Sequence, residues 1–302
     1  MTASVAVVLT VDVEGEWLEL PGEQGKFDIA RVLFAVESLE TNLHRLEAAL
    51  GTRIPVTWFI RCDDSVAKTA GDAAGLLQSL EPFIMRRSDA GDEFGLHPHL
   101  YRDDHGKWVS ETDPARQADQ VVRAASAWKR YFVSDPALCR MGEAIMNNVL
   151  ADALDNIGAV LDSSALPGRK RFDSGFQFDW TGAPTFLYRP ARVDYRRPAS
   201  GGEGERNFLE APFTMLPIFG PNDNEPINRY CNLAYRPEFV RDAMRRFSRP
   251  EYIIAVVHPH ELLAVDHQHP LISHDPRSLG ENIGNLAESF GRLEPKLLSA
   301  LL

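Results

Sequence analysis

The sequence predicts a single α/β domain built on a parallel sheet, either a barrel or a doubly wound sheet. Apolar, β-branched runs of strand length alternate with segments whose apolar residues recur at helical spacing. No break in composition divides the 302 residues into two parts, and single α/β barrels commonly reach this size. We therefore expect one domain over residues 1–302, with its functional groups at the carboxyl ends of the strands.

The first half of the chain contains three predicted strands and two predicted helices. The helix that follows the first strand is expected to end at Gly51, in the left-handed conformation that glycine tolerates. In order, the elements are the strand SVAVVLTVDVEGEW, a helix over 30–50, the strand IPVTWFI, a helix over 72–87 and the short strand EFGLHPHLY.

The second half continues the alternation. Asp113 and Pro114 are typical of an N-cap and a first helical turn. The elements are a helix from there to Tyr131, the strand ALCRM, a helix over 147–157, the strands AVLDSS and FLEAPFTMLPI, a final helix from Pro237 and the last strand EYIIAVVHPHELL. Residues 167–207 include ASGGEGER, which lacks the apolar content to pack, and are predicted to form a mobile excursion.

Composition and charge argue against several classes of function. The formal net charge of -11 and the pI near 5.3 disfavour a nucleic-acid binder, which needs a basic surface. The longest apolar run, Val5 to Val13, is far shorter than the roughly 20 residues that span a bilayer. The amino terminus has no basic region or cleavage signal. These features predict a cytoplasmic protein with no membrane span.

Cysteine spacing gives no sign of a disulfide framework or a thiolate metal site. The three cysteines are far apart and form no CxxC pair. We expect them to be buried free thiols, namely Cys62, Cys139 and Cys231.

Three strand ends carry pairs of polar residues spaced two apart. In extended chain, residues i and i+2 project from the same face, so each pair presents two functional groups in one direction. Strands that are neighbours in a barrel would bring the pairs together. The pairs are Asp12 and Glu14, His97 and His99, and His258 and His260.

Imidazole nitrogens with one carboxylate are the ligands of a catalytic Zn²⁺ site, so these strand ends predict a shared polar or metal site. Glu210 is a further strand-end carboxylate that would either line the same mouth or form a structural salt bridge. The remaining histidines are expected on a helix, in a turn or in a solvated loop, and they are His44, His105, His267, His269 and His274.

Five segments, in this order, resemble the polysaccharide deacetylases, the NodB-homology proteins of carbohydrate esterase family 4. The resemblance covers most of residues 5–265 and is weakest over 167–207. It implies a single deformed (β/α)₇ barrel. The segments are LTVDVEGEW, PVTWFI, EFGLHPHLY, CRMGEAIMNNVLADALDNIGAVLDSS and IIAVVHPHELL.

The resemblance also implies a role for each of six residues. Asp12 matches the family's base, Arg140 the arginine that orients it, and His258 the histidine that acts as general acid. Zn²⁺ or another divalent metal would polarise the acetyl carbonyl and bind the attacking water. Its implied ligands are Glu14, His97 and His99.

The chain departs from the family pattern at several positions. The family's second metal histidine falls on Tyr101, so either His99 substitutes for it or Tyr101 weakens or abolishes the metal site. Val13 stands where many members have a second aspartate. Met141 and Gly142 follow Arg140 without the usual proline, and no aspartate–tryptophan pair follows LDSS to tune His258.

The resemblance implies a hydrolase that removes acetyl groups from N-acetylated or O-acetylated carbohydrate. Two alternatives stay open, a metal-independent hydrolase of small cyclic amides or ureides, and a catalytically degenerate sugar-binding protein. Four aromatic residues are candidates either for stacking on sugar rings or for ordinary packing, and they are Trp17, Trp108, Phe176 and Trp180.

Overall fold

The computed structural model describes residues 4–14, 28–173, 176–264 and 269–302. Strands and helices alternate along most of this part of the chain. The elements are β1 (Val5–Val13), α1 (Ile29–Leu50), β2 (Val56–Ile60), α2 (Asp64–Ala70), α3 (Gly75–Ser79), α4 (Glu81–Asp89), β3 (Glu93–Leu96), β4 (Tyr101–Asp104), β5 (Lys107–Ser110), α5 (Pro114–Phe132), β6 (Leu138–Cys139), α6 (Asn148–Asn156), β7 (Leu161–Asp162), β8 (Lys170–Phe172), β9 (Gln177–Asp179), β10 (Leu209–Glu210), β11 (Met215–Ile218), β12 (Ile227–Tyr230), α7 (Pro237–Met244), β13 (Tyr252–Val257), α8 (Arg277–Phe290) and β14 (Leu293–Pro295).

Seven parallel strands follow one another in the order β10-β7-β6-β3-β2-β1-β13, and β14 pairs with the start of β1. The circle is completed by the chain that follows β10. There the amide of Thr214 donates to Ile254 of β13, whose own amide donates to the Thr214 hydroxyl, and Asn232 bridges to Val256. Because this contact is irregular, the barrel is deformed. The predicted deformed (β/α)₇ barrel is confirmed.

Side chains of the central strands alternate between the barrel interior and the surrounding helices. On β1, Val7, Leu9 and Val11 belong to the core between sheet and helices, whereas Val8 packs inside the barrel. Side chains alternate along a strand with a period of two residues, so Thr10 and Asp12 face inwards like Val8. The interior is thus apolar at its base and polar at the carboxyl ends of the strands.

The strand and helix predictions are confirmed for most elements. The left-handed Gly51 (φ 65°) ends α1, and the Asp113 side chain accepts from the amide of Ala115 at the start of α5. The predicted helix over 72–87 is instead two helices, α3 and α4. The predicted strand FLEAPFTMLPI is divided between β10 in the barrel and β11 in a separate hairpin with β12.

Two elements at the end of the chain were not predicted. Helix α8 packs its apolar face through Leu279, Leu286 and Phe290, and β14 then pairs with β1. The two glycines in α8, Gly280 and Gly284, lower its intrinsic helix propensity. For this reason the sequence pattern did not predict the helix. Pro237 therefore does not begin the final helix.

The segment 167–207 packs more closely than its composition suggests. Trp180 is buried and donates its indole N–H to the carbonyl of Ala144 at 2.9 Å. Arg206 is also buried, and its guanidinium lies against Asp152 and Asp155 of α6. Within ASGGEGER itself, Arg206 is buried whereas most of the other residues are exposed, and the mobility of this excursion stays a prediction.

The three cysteines are free and buried, as predicted. None of the helices in the described part of the chain has the length and apolar character needed to cross a membrane.

Candidate active site

The carboxyl ends of the barrel strands surround a cleft of about 470 Å³. Asp12 is near the end of β1, and the other predicted residues directly follow β1, β3, β6 and β13, except His99, which lies two residues beyond His97. The structure brings all six predicted residues together as lining of this cleft, namely Asp12, Glu14, His97, His99, Arg140 and His258.

Asp12 and Arg140 form a buried ion pair. The Nη1 of Arg140 donates to Asp12 Oδ1 at 2.6 Å and to the Thr10 hydroxyl at 2.8 Å. Its Nε and Nη2 donate to the carbonyl and hydroxyl oxygens of Ser163. The guanidinium carbon is 4.2 Å from the ring centroids of both Phe59 and Phe213. These contacts hold the carboxylate of Asp12 in one orientation, with Oδ2 left for other partners.

Glu14, His97 and His99 form a compact cluster whose candidate ligand atoms lie within 4.8 Å of one another. Glu14 Oε2 is 2.7 Å from His99 Nε2 and 3.7 Å from His97 Nε2. His97 Nδ1 is 2.8 Å from the carbonyl oxygen of Arg140. A carbonyl can only accept, so Nδ1 carries the proton and Nε2 presents its lone pair to the cluster.

Tyr101 determines the orientation of His99. The Tyr101 hydroxyl donates to Glu143 and lies 3.2 Å from His99 Nδ1. Because its proton is engaged by Glu143, the hydroxyl oxygen accepts from Nδ1–H of His99, which leaves Nε2 as the acceptor. Burial and the Glu143 carboxylate raise the pKa of Tyr101 well above its usual value, so the hydroxyl stays protonated. Tyr101 thus supports His99, whose ring lies at the cluster.

Gly142 makes room for the His99 ring. A Cβ built on Gly142 would lie 2.3 Å from His99 Cδ2 and 2.5 Å from Cγ, closer than side chains pack. The Gly142 amide also donates to the carbonyl of Pro98 at 3.0 Å, a bond that proline could not make. Glycine at this position therefore leaves space for the His99 ring and keeps an amide hydrogen, whereas proline has a Cβ and no amide hydrogen.

The protonation states of the cluster suit a metal ion. Burial opposes ionisation of Glu14, but the positive charge of His258 holds its pKa well below the ordinary value. Burial and Arg61 lower the pKa of His99 to about 4, against the opposite effect of Glu14. With His97 Nε2 only 3.2 Å from His99 Nε2, an ionised carboxylate and two imidazole lone pairs converge. Such a donor set fits a divalent cation.

His258 lies beside this cluster, next to Glu14 and Asp12. Its Nε2 is 3.2 Å from Glu14 Oε1 and 3.8 Å from Asp12 Oδ2, and its Nδ1 is 2.9 Å from Glu261 Oε2. Burial by itself lowers the pKa of His258, but the carboxylates of Glu261, Glu14 and Asp12 raise it well above the ordinary value. The imidazolium form is therefore favoured.

Glu261, which the sequence analysis did not select, is a buried carboxylate beside His258 Nδ1. Asn232 donates to both of its carboxylate oxygens at 2.9 Å, and the amide of His258 donates to Oε2 at 3.1 Å. Glu261 is thus a carboxylate partner of His258 Nδ1, where the sequence analysis found no partner. Its spacing of three residues from His258, across a single helical turn, is the signal that could have identified it.

Other predicted residues have different positions from those expected. His269 and His274, predicted in a solvated loop, line the cleft together with His260; His267 lies outside the described residues. Glu210 is buried and accepts from the amides of Ser164 and Ala165, so it neither lines the cleft nor forms a salt bridge in the described structure.

Three of the four candidate aromatic residues are in the described part of the chain, and one of these three lines the cleft. Phe176 lines it, whereas Trp180 is a buried packing residue and Trp108 lies beneath the ammonium of Lys68. Trp17 is outside the described residues. Of these residues, only Phe176 is placed to contact a bound molecule.

No family model and no curated protein sequence matches this chain. Solved structures match it over nearly its whole length. One is a protein from Mycobacterium smegmatis provisionally assigned as a polysaccharide deacetylase, with 15% identity over 100% of this chain and 93% of that one, and a TM-score of 0.53. Another is a provisionally assigned glycoside hydrolase/deacetylase from Parabacteroides distasonis, with 10% identity over 97% and 69% of the two chains and a TM-score of 0.61. The resemblance to the deacetylases is confirmed as a shared fold.

Proposed function

We propose that this protein is a metal-dependent hydrolase that removes acetyl groups from N-acetylated carbohydrates. The observation that carries the proposal is the convergence of three acceptor atoms, Glu14 Oε2 and the Nε2 atoms of His97 and His99. Beside them lie Asp12, which is paired with Arg140, and His258, which is paired with Glu261. A base, an acid and a cation site in one cleft are the groups that amide hydrolysis needs.

Zn²⁺ or another divalent cation held by Glu14, His97 and His99 would polarise the acetyl carbonyl and make water in the cleft more acidic. The chain's own residues prepare this site. The carbonyl of Arg140 orients His97, and Tyr101 orients His99. Such outer partners set the tautomer and ring position of ligand histidines.

Asp12 is the proposed general base. Its Oδ1 is occupied by Arg140, whereas Oδ2 faces His258 at 3.8 Å. A water molecule that attacks the acetyl carbon would lose its proton to the free oxygen of this carboxylate. The bond from Arg140 fixes the direction in which this free oxygen points.

His258 is the proposed general acid. The leaving nitrogen must gain a proton as its bond to the acetyl carbon breaks, because an amide anion is a very poor leaving group. Glu261 and the other carboxylates keep His258 protonated, and Nε2 is the atom directed into the cleft. Proton transfer by a positioned group of this kind contributes about 10²–10⁴-fold to a rate.

Metal content and acetate release together test this proposal. We expect elemental analysis to find about one divalent metal ion per chain, a ratio that follows from the single cluster in the described residues. His97→Ala should lose the metal and the activity on N-acetylated sugars. Asp12→Asn should keep the metal and lose at least about 10²-fold in kcat. His44→Ala, on the exposed face of α1, is the matched control.

The alternatives predict different results. Turnover of an amide by metal-free protein would replace the proposal with the metal-independent hydrolase. Sugar binding without acetate release, in protein loaded with metal, would replace it with the binding protein. Loss of metal in Asp12→Asn would mean that this carboxylate is a ligand rather than the base.

A further inference from the structure

We infer that the cleft contains a subsite for an anionic group, so that the preferred substrate is an acetylated sugar bearing a phosphate or a carboxylate. This inference rests on the proposed function and deepens it. Besides Arg140, three arginines line the same cleft as the reacting groups, and they are Arg169, Arg171 and Arg229. Arg169 precedes β8, Arg171 lies in β8 of the β8–β9 hairpin, and Arg229 lies in β12 of the β11–β12 hairpin.

Two of these arginines are held by carboxylates of the protein. Arg229 forms a bidentate pair with Asp223, with N–O distances of 2.7 and 3.0 Å. Arg171 Nε lies 2.5 Å from Asp173, and its guanidinium carbon is 3.7 Å from the ring centroid of Phe176. Their charges are therefore partly balanced, and their positions are set by local contacts.

Arg169 differs from its two neighbours. It is half-buried, and its Nη1 donates to the backbone carbonyl of Asn228 at 2.7 Å. Within residues 4–14, 28–173, 176–264 and 269–302, none of the ion pairs involves Arg169. Burial and the charges of Arg229 and Arg171 lower its pKa. A partly desolvated cation beside two others is stabilised by an added anion.

The geometry of guanidinium groups indicates the class of ligand. Their planar forks match the oxygens of phosphate and carboxylate groups. The cleft volume of about 470 Å³ suits a small molecule rather than a long polymer segment. Tyr230, next to Arg229 in the chain, has its ring centroid 6.5 Å from that of His258. The arginines and the reacting groups line this one cleft, so we infer that a single sugar contacts both.

The test compares three substrates that differ in charge. These are N-acetylglucosamine, N-acetylglucosamine 6-phosphate and N-acetylmuramic acid, which carry no anion, a phosphate and a carboxylate. We expect kcat/KM to be at least about tenfold higher for an anionic substrate than for the neutral one, the scale of a charge-assisted hydrogen bond. A preference for the phosphate alone would identify a phosphate subsite, and a preference for both would identify a general anion subsite.

Variants of Arg169 assign the preference to this subsite. Arg169→Gln should lower the ratio of anionic to neutral kcat/KM by about tenfold, and Arg169→Lys should restore part of it. Arg245→Gln is the matched control. Arg245 is exposed at the end of α7, and among the ion pairs of the described residues it pairs only with Asp242. An anion preference that Arg169→Gln leaves unchanged would overturn the assignment.

Failure of this inference can be distinguished from failure of the proposed function. Equal kcat/KM for the three substrates would overturn the anionic subsite while the deacetylase proposal stands. If none of the three is turned over, calorimetric titration of the metal-loaded protein with inorganic phosphate provides the test. Weaker phosphate binding by Arg169→Gln than by the wild type supports the subsite, and equal binding overturns it.

Discussion

Replacing Tyr101 by phenylalanine removes one hydroxyl group from the support of the proposed metal site. In the wild type this hydroxyl donates to Glu143 and accepts from His99 Nδ1 at 3.2 Å. The ring of phenylalanine fills the same volume, so packing is preserved while His99 loses the partner that sets its tautomer. We expect weaker metal binding in Tyr101→Phe, with His97 and Glu14 unchanged.

The size of the effect follows from the contacts that are lost. Loss of an outer hydrogen-bond partner of a metal ligand costs about 10–100-fold in metal affinity, which is about 1.4–2.8 kcal/mol. The same substitution leaves His99 Nδ1 and the Glu143 carboxylate without this partner in a largely buried setting. The resulting cost to folding stability is about 1–3 kcal/mol.

Competition with a chromophoric chelator measures the Zn²⁺ dissociation constant directly, without reliance on activity. Tyr188→Phe is the matched control, because Tyr188 is equally buried and its hydroxyl donates to the carbonyl of Tyr195, outside the cleft. We expect the control to lose stability and to keep its metal affinity. Zn²⁺ affinity within twofold of the wild type in Tyr101→Phe would refute the role of Tyr101 in orienting His99.

Two further predictions concern other parts of the barrel mouth. Gly142→Ala places a Cβ about 2.3 Å from the His99 ring, so chelator competition should show at least about tenfold weaker metal binding; Gly280→Ala, whose Cβ makes an ordinary 3.5 Å contact, should not. Burial raises the pKa of Asp162 from 3.8 to about 6, and burial and Asp162 raise that of Glu210. The folded state then holds a proton on Asp162 that the unfolded state releases, so Asp162 contributes stability at acid pH that is lost as pH rises from 3.8 to about 6, by about 3 kcal/mol. Glu210→Gln, which mimics a protonated Glu210, should flatten this fall in urea unfolding; an unchanged pH profile would contradict the raised pKa values of this pair.

Local patterns in the sequence were sufficient to predict the central strands and the positions of the proposed reacting groups. Because side chains alternate along an extended chain, Asp12 and Glu14 had to share a face. The order of strands and helices placed the other polar residues at the same end of a parallel sheet. Spacing along one strand is a local property, and for this reason it can be read without coordinates.

The support of these groups depends on contacts between residues that are distant in the chain. Tyr101 and Glu143 are 42 positions apart, and Asn232 and Glu261 are 29 apart. The identity of each residue allows many partners, and only the packing of the barrel selects one. The division of FLEAPFTMLPI and the cleft positions of His269 and His274 have the same origin.

The sequence by itself determined an α/β domain with polar pairs at its strand ends, because strand periodicity is encoded in neighbouring residues, and the resemblance to the deacetylases added the barrel and Arg140. Only the tertiary structure decided that His99 is oriented by Tyr101, that Glu261 faces His258 and that Arg169 joins the cleft. Hydrogen-bond partners and local charge depend on distances across the fold, which residue spacing does not specify.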